Sequence, residues 1–309
     1  MKENQEFLVL RYSLVEELQR TLLAKDIPTP KGAAVLVSIM HDREFVLNGT
    51  RYGFVGFSEI RPASGYSFPA ARFYVGKTAK LKKAHMGIKV PGDILETEED
   101  DWLPVITIID IDKQYIPVRK DWRFGSPEQT MHAIQAGLRD PIMDHYNHRV
   151  FVEGITRREH FWRVISAHKC LYKLELKLIA PNILETNLKA REALAALKNL
   201  FAQDEVSINL TNESGSLQVP ENPIANYLEY IEEGEGSWSL TTEGLRGGKK
   251  KHSSRENTDI VEISVPETVS ADPNRQLELL PGKPAQRRDA IEVIIVEQAF
   301  AQINAISER

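Results

Sequence analysis

A glutamate and a lysine two residues apart are the pair in this sequence with the clearest catalytic potential. Glu175 and Lys177 belong to an alternating segment, Leu171 to Ile179, which predicts a half-buried strand with one charged face. On that face the two side chains would lie about 7 Å apart. With an upstream carboxylate such as Glu153 or Asp140, they could hold Mg²⁺ and stabilise phosphoryl charge, which is the chemistry of a nuclease. A cross-strand ion-pair face explains the same residues without catalysis.

Two other groups have ligand-like spacing, and each has a structural explanation. Asp110 and Asp112 could bind a metal through oxygen, but aspartate also favours the tight turn predicted there. His145 and His148 would share one face of a helix and could bind zinc with a third ligand. No glutamate lies between these histidines as hydrolytic zinc motifs require, which favours a polar surface loop.

Cys170 is the only cysteine, so neither an intrachain disulfide nor a cysteine-based zinc site can form. Its position at the head of a predicted strand favours a small buried apolar residue over a nucleophile. The sequence contains no dinucleotide fingerprint, no Walker sequence and no nucleophile elbow. These patterns predict a protein without a cofactor or bound metal, and they favour a non-enzymatic function.

Composition indicates a globular protein of the reducing cytoplasm. The chain has 309 residues, of which 42% are hydrophobic and 27% charged, and a net charge of -5. This charge excludes a uniformly basic nucleic-acid binder but allows a local basic face. The first residues lack a signal-peptide core, and no run approaches the roughly 20 apolar residues that span a bilayer.

Hydrophobic patterning predicts an α+β fold. Val105 to Ile111 form a β-branched run, and Tyr115 to Val118 return beside it, which predicts a central hairpin. Residues 1–100 are predicted to be a mostly antiparallel β domain, and 101–245 an α+β domain with a split strand–helix–strand order. A flexible basic loop at 246–258 follows. Residues 259–309 are predicted to be a strand and a C-terminal helix that pack back on the core.

Within these regions the sequence predicts several individual elements. Val15 to Ala24 are expected to form a short helix, and Ala33 to Met40 a strand of a hairpin. Ser126 is expected to cap a helix that runs to about Leu138. Thr156 and Glu159 have the spacing of a capping box, and 183–202 have mostly helical spacing.

Positive charge is concentrated in two segments of this acidic chain. They contain ten basic residues, which are the predicted nucleic-acid-binding residues: Lys77, Lys80, Lys82, Lys83, Lys89, Arg246, Lys249, Lys250, Lys251 and Arg255. Between the segments, 93–101 contain six acids and no base. This acidic run and the lysine run before it are typical of solvated loops or faces. Mobile lysines that release counterions bind DNA without sequence specificity, and no recognition helix is indicated.

Four motifs between about residues 120 and 240 occur in one order. They are Phe124-Gly-Ser-Pro-Glu and Arg149-Val-Phe-Val-Glu-Gly-Ile-Thr, each before a predicted helix, then Lys173-Leu-Glu-Leu-Lys-Leu and the Asn212-Glu-Ser-Gly-Ser-Leu hairpin. This order resembles RexA-like phage-exclusion proteins and uncharacterised prophage and defence-island proteins, over less than half of the chain. The resemblance implies a cytoplasmic homodimer that binds DNA with little sequence preference and signals phage infection to a membrane effector. The acidic 93–101 segment and the basic 247–257 insertion depart from it.

Three functional hypotheses follow. The first is a sequence-independent DNA-binding component of a bacterial anti-phage system, supported by the two basic segments and the resemblance. The second is a Mg²⁺-dependent nuclease that uses Glu175 and Lys177. The third is a non-enzymatic adaptor that binds a protein encoded in the same operon.

Overall fold

Two β-sheets, mostly antiparallel, organise the chain in a computed structural model. The model describes residues 4–17, 24–60, 72–91, 93–179, 194, 197, 203–244, 247–256, 260–266 and 298–303. The predicted α+β class is therefore confirmed at the level of mixed helices and antiparallel sheets. None of the helices in these ranges is long and apolar enough to cross a membrane.

The large sheet contains eight strands. They are β1 (Asn4–Glu16), β2 (Arg43–Leu47), β3 (Thr50–Ile60), β4 (Phe73–Val90), β5 (Asp93–Asp110), β6 (Tyr115–Arg119), β7 (His148–Gly154) and β12 (Glu262–Pro266). Their order is β12-β1-β6-β5-β4-β3-β2, and β7 pairs with residues 10–16 of β1. β5 and β6 flank a tight turn, which confirms the predicted central hairpin.

Helical residues cover both faces of this sheet. Successive strand residues point to opposite sides, and in β1 the side chains on both sides are apolar. Leu8, Leu10 and Tyr12 of β1 belong to the core beneath a long helix, α2 (Pro127–Tyr146). Phe7 and Val9 belong to a second core, which contains the helical residues Phe300 and Ile303. The apolar run of the central hairpin is therefore buried from two sides, as its unbroken β-branched pattern indicated.

The start of α2 follows its sequence signals. The Ser126 hydroxyl accepts a hydrogen bond from the Gln129 N–H, and the Gln129 side chain accepts one from the Ser126 N–H. This reciprocal pair satisfies two N–H groups of the first turn. The helix continues beyond the predicted end at Leu138 and stops at Asn147, which has a left-handed backbone (φ 55°).

The small sheet has four strands in the order β11-β10-β8-β9. They are β8 (Leu171–Ile179), β9 (Glu205–Thr211), β10 (Gly236–Glu243) and β11 (Lys249–Ser253). Leu174, Leu176 and Trp238 form its core with α3 (Arg158–Ala167) and α4 (Glu221–Glu232). Charged and polar side chains occupy the opposite face.

Several predicted elements are wrong in detail. Residues 33–40 are not a strand: Lys31–Val35 form a 3-10 turn and Leu36–Ile39 a short helix, α1. Short apolar runs do not distinguish strand from helix, and here Ala33, Ala34 and Val35 are buried in the core above the sheet. Thr156 does not cap α3, because it forms a β-bridge with Ile260 and Arg157 takes the N-cap position.

Other predicted elements overlap the described residues only in part. Val15 and Glu16 belong to β1 and not to a helix, and 18–23 lie outside the described residues. Of the helix predicted at 183–202, only 194 and 197 are described, and both are helical. The C-terminal helix is described only at 298–303.

The two charge runs near residue 90 are strands and not loops. β4 and β5 pair without interruption from Phe73↔Asp110 to Val90↔Asp93. β3 pairs with β4 only up to Lys80, so in the described part of the chain residues 81–90 and 93–102 pair only with each other. This two-stranded arm is about 33 Å long at about 3.3 Å per residue. Opposite charges face each other across it, which lets both runs adopt an extended structure.

Candidate nucleic-acid interface

The open side of the small sheet carries lysines from two strands that are distant in sequence. Lys251 of β11 lies across from Thr241, which lies across from Lys173 of β8. Lys177 lies four positions further along β8 than Lys173, and Lys249 two positions back along β11 from Lys251. We call these four residues, with the hydroxyl and amide side chains between them, the lysine face. The polar members are Ser207, Asn209, Thr211, Ser239 and Thr241.

Glu175 lies in the middle of the lysine face and is held by its neighbours. Its carboxylate is 3.4 Å from the Lys173 ammonium and accepts a hydrogen bond from Ser239. Partial burial raises the pKa of Glu175, but the positive charges of Lys173, Lys177 and Lys251 outweigh this effect and bring it below its usual value. The carboxylate is therefore ionised at neutral pH. With Glu205, which lies 3.7 Å from Lys177, it neutralises about two of the four lysines.

The rest of the predicted 246–258 segment is only partly on this face. Lys249–Ser253 form strand β11, so the prediction of a flexible loop is wrong for these residues. The strand alternates: Lys249 and Lys251 point to the lysine face, and Lys250 points to the side of His252. The Lys249 ammonium lies 4.5 Å from the centre of the Tyr172 ring. Arg246 lies outside the described residues.

Arg255 binds protein carboxylates. Its guanidinium donates to both oxygens of Glu153 on β7, and it lies 3.8 Å from Glu128 in the first turn of α2. Burial lowers the pKa of Arg255, but the Glu153 carboxylate more than compensates and raises it. Sequence reasoning assigned this residue to DNA, whereas in the structure it connects the two sheets.

The lysines of β4 are divided between two faces of the hairpin. Lys80 and Lys82 lie on the side of α2, where the Lys80 ammonium donates to the Phe124 carbonyl at 2.7 Å. Lys77, Lys83 and Lys89 alternate to the other side. Lys82 lies across from Asp101, and Lys83 across from Asp100. The arm at 81–102 contains three lysines and six acids, so its net charge is negative.

The two predicted basic segments belong to different sheets but approach one connection. Lys80 binds the carbonyl of Phe124, and Arg255 approaches Glu128, four residues further along the chain. The loop before α2 and its first turn are thus contacted from both sheets.

The residues considered for catalysis do not converge. Both oxygens of Glu153 are taken by Arg255, and Lys177 lies 3.7 Å from Glu205. Within the described ranges, no group of three or more His, Cys, Asp or Glu side chains is arranged to hold a metal ion. The Glu175–Lys177 pair therefore resembles the ion-pair alternative more than a nuclease centre.

The turn and histidine candidates have structural roles. Asp110 Oδ1 accepts hydrogen bonds from the Asp112 and Lys113 N–H groups, as predicted for a turn aspartate. Burial raises the pKa of Asp110 to about 6. His145 lies in the last turn of α2 and His148 is a buried residue of β7, so the polar loop predicted for them is wrong. Cys170 is half-buried.

Sequence reasoning missed three residues of interest. Lys173 was interpreted only as part of a charged strand face, and Lys177 as part of that face or of a nuclease site. Neither was assigned to DNA, because the sequence does not show that β10 aligns them with Lys251. Trp122 follows the central hairpin directly, and no local pattern distinguishes an exposed tryptophan from a buried one. Its hydrophilic neighbours Lys120, Asp121 and Arg123 were the available signal.

Comparison of the chain with protein-family models, curated proteins and solved structures finds no match to any of the three.

Proposed function

We propose that the protein binds DNA without sequence specificity and that the lysine face contacts the phosphates. The observation that carries this proposal is the alignment of Lys173, Lys177, Lys249 and Lys251 on one open sheet face. Ammonium groups on such a face release condensed counterions from a nucleic acid. The hydroxyl and amide groups between them are donors of the kind that bind phosphate oxygens.

The absence of base-reading geometry on this face supports non-specific contact. α3 and α4 pack on the opposite side of the small sheet with Phe161 and Leu228 buried, so neither helix is presented by the lysine face. Lysine also acts as a point charge and lacks the planar fork with which arginine reads guanine. Phosphate contacts give affinity and position but no sequence information.

The proposal includes a cellular role that rests on the resemblance to RexA-like proteins. In this role the protein acts in the bacterial cytoplasm as a homodimer, and DNA binding reports phage infection to a membrane effector. Phage plating on cells that express the protein would test this role: the wild-type chain should reduce plaque numbers, and a variant that does not bind DNA should not.

Binding of a random-sequence duplex at several salt concentrations tests the interface. A dissociation constant of about 1–100 μM near physiological salt, with a steep log–log salt dependence, is expected for non-specific contact. The double variant Lys249→Glu/Lys251→Glu should weaken binding at least about tenfold and lower the salt slope by about two, because each lysine accounts for about one.

Lys250→Glu is the matched control for the single substitutions Lys249→Glu and Lys251→Glu, because it makes the same charge change as each of them on the same strand but on the other side of the sheet. It should change the salt slope by less than half as much as either lysine-face substitution. Equal effects of Lys250→Glu and of a single lysine-face substitution would contradict the proposed interface, and so would the absence of binding at 50 mM salt. Co-purification with the product of a neighbouring gene, without DNA affinity, would instead favour the adaptor hypothesis.

A further inference from the structure

Trp122 is the most exposed large apolar side chain in the described part of the chain, at 87%. In contrast, Trp238 is 3% exposed, and Trp102 and Trp162 are half-buried. A tryptophan buries more apolar area than almost any other residue when it packs. Exposure of the whole ring forgoes this burial, so a ligand that covers Trp122 would gain a large apolar contact.

The loop that carries Trp122 is braced on both sides. The Asp121 carboxylate accepts hydrogen bonds from the N–H and the guanidinium of Arg123, at 2.7–3.0 Å. The Asp121 carbonyl accepts from the N–H of Phe124, whose ring is buried. Lys80 binds the Phe124 carbonyl at 2.7 Å from the neighbouring strand. Trp122 therefore lies in an ordered turn that exposes its ring to solvent. Because the turn is already ordered, binding a ligand to the ring costs less conformational entropy.

The ring borders a groove of mixed polar and apolar lining. The groove has a volume of about 340 Å³ and is bounded by Trp122, Lys120, Ser126 and Gln129 among others. Lys120 is ion-paired with Glu262 at 2.6 Å and Glu6 at 3.6 Å, and Arg123 with Asp121 at 2.7 Å. Because these two cations are already paired with carboxylates, the loop offers mainly the flat ring, on which an unpaired base can stack, while the phosphates are left to the lysine face.

We propose that Trp122 stacks on an unpaired base, so that the protein binds single-stranded DNA more tightly than duplex. This inference rests on the proposed DNA binding and specifies its preferred form. In a duplex the base faces are stacked on one another and do not reach the ring, whereas every unpaired base has a free face. The link from Arg255 to Glu128, 3.8 Å, places the first turn of α2, just after this loop, beside the end of β11. The loop of Trp122 and the sheet that carries the lysine face are therefore linked through α2 and the residues that follow β11.

Fluorescence titration with a 15-nucleotide oligothymidylate and with a random duplex of equal length tests the inference. Because Trp122 is the only fully exposed tryptophan of the four, stacking should quench the part of the emission that iodide reaches. Trp122→Ala should weaken single-strand binding roughly fivefold to a hundredfold and change duplex binding less than twofold. Trp122→Phe should retain most of the affinity, because its ring can still stack.

Val46→Ala is the control, because it truncates another exposed apolar side chain, on strand β2 of the large sheet. It should leave both affinities unchanged. Duplex binding with no preference for the single strand, or an unchanged single-strand affinity of Trp122→Ala, would overturn the role of Trp122 and leave the proposed function standing. No binding of either DNA would overturn both.

Discussion

Asp110 holds a turn through its carboxylate, and burial of that carboxylate lowers the stability of the folded protein at neutral pH. Its carboxylate holds the turn between β5 and β6 through two backbone N–H groups, and yet the residue is 1% exposed. Burial, which disfavours the charged form, raises its pKa from 3.8 to about 6. Between these two pH values the folded state holds a proton that the unfolded state releases, so this group's contribution to stability falls as pH rises through the window.

Asp110→Asn should therefore stabilise the protein relative to wild type at neutral pH but not at pH 4. The amide oxygen can still accept both turn hydrogen bonds, and the substitution removes the cost of a buried charge. The difference between pKa values of 3.8 and about 6 sets an upper limit of about 3 kcal/mol. Urea unfolding of both chains from pH 4 to pH 8 measures it, with the exposed Glu213→Gln as control. A stability difference that stays constant with pH would contradict the buried carboxylate.

The sequence predicted Asp110 as a turn former but not its burial. Side-chain hydrogen bonding to the next N–H groups is local chemistry, and the residue type therefore indicates it. Burial depends in part on Tyr12, which lies 98 residues earlier in the chain. The Tyr12 hydroxyl donates to the Asp110 carbonyl at 3.2 Å, a contact that no local pattern predicts.

The helix α2 illustrates a boundary that local sequence specifies well. Ser126, Pro127 and Gln129 supply the cap, the fixed first position and the reciprocal hydrogen bond. Ser126→Ala should lower the free energy of unfolding by about 1 kcal/mol, because it leaves an N–H group of the first turn without this partner. Thermal and urea unfolding measure the effect. Ser264→Ala, at an exposed strand position, should cost less, and an equal loss would show that the cap is not responsible.

The hairpin of β4 and β5 shows where local reasoning fails. Each charge run by itself favours a solvated loop, because like charges repel along a strand. Paired in register, Lys82 meets Asp101 and Lys83 meets Asp100, and the repulsion within each strand is offset across the pair. The extended structure therefore depends on pairing of the two segments, and the sequence of either segment alone does not predict it.

Arg255 and Arg11 connect the two sheets through buried carboxylates. Arg255 binds Glu153 of β7 in two places, and Arg11 of β1 lies 3.2 Å from Glu235, next to β10. Both glutamates are almost fully buried. Removal of one partner from such a pair leaves an uncompensated charge, which costs far more than the pair contributes.

Arg255→Ala should therefore lower the free energy of unfolding by about 3–5 kcal/mol. The double variant Arg255→Met/Glu153→Leu should recover most of this loss, because it removes both charges from the buried site. Equilibrium unfolding in urea distinguishes the two variants. A loss below about 1 kcal/mol in the single variant would instead match an exposed ion pair.

The lysine face could not be predicted from sequence even where its members were noticed. Lys173 and Lys177 lie more than 70 residues before Lys249 and Lys251. They share a face only because β10 pairs with β8 on one side and β11 on the other. Alternation within each strand was visible in the sequence, so the side of each lysine was predictable once the strand order was known.

β11 is also the outermost strand of its sheet among those described, and one of its backbone edges lacks a strand partner there. A free edge of this kind is a template on which another chain can add a strand and begin a polymer. Three consecutive ammonium groups oppose that growth, since each added copy would bring three more positive charges into line. Neutral substitutions at these lysines would remove this protection, and the loss would be measured as turbidity at high protein concentration.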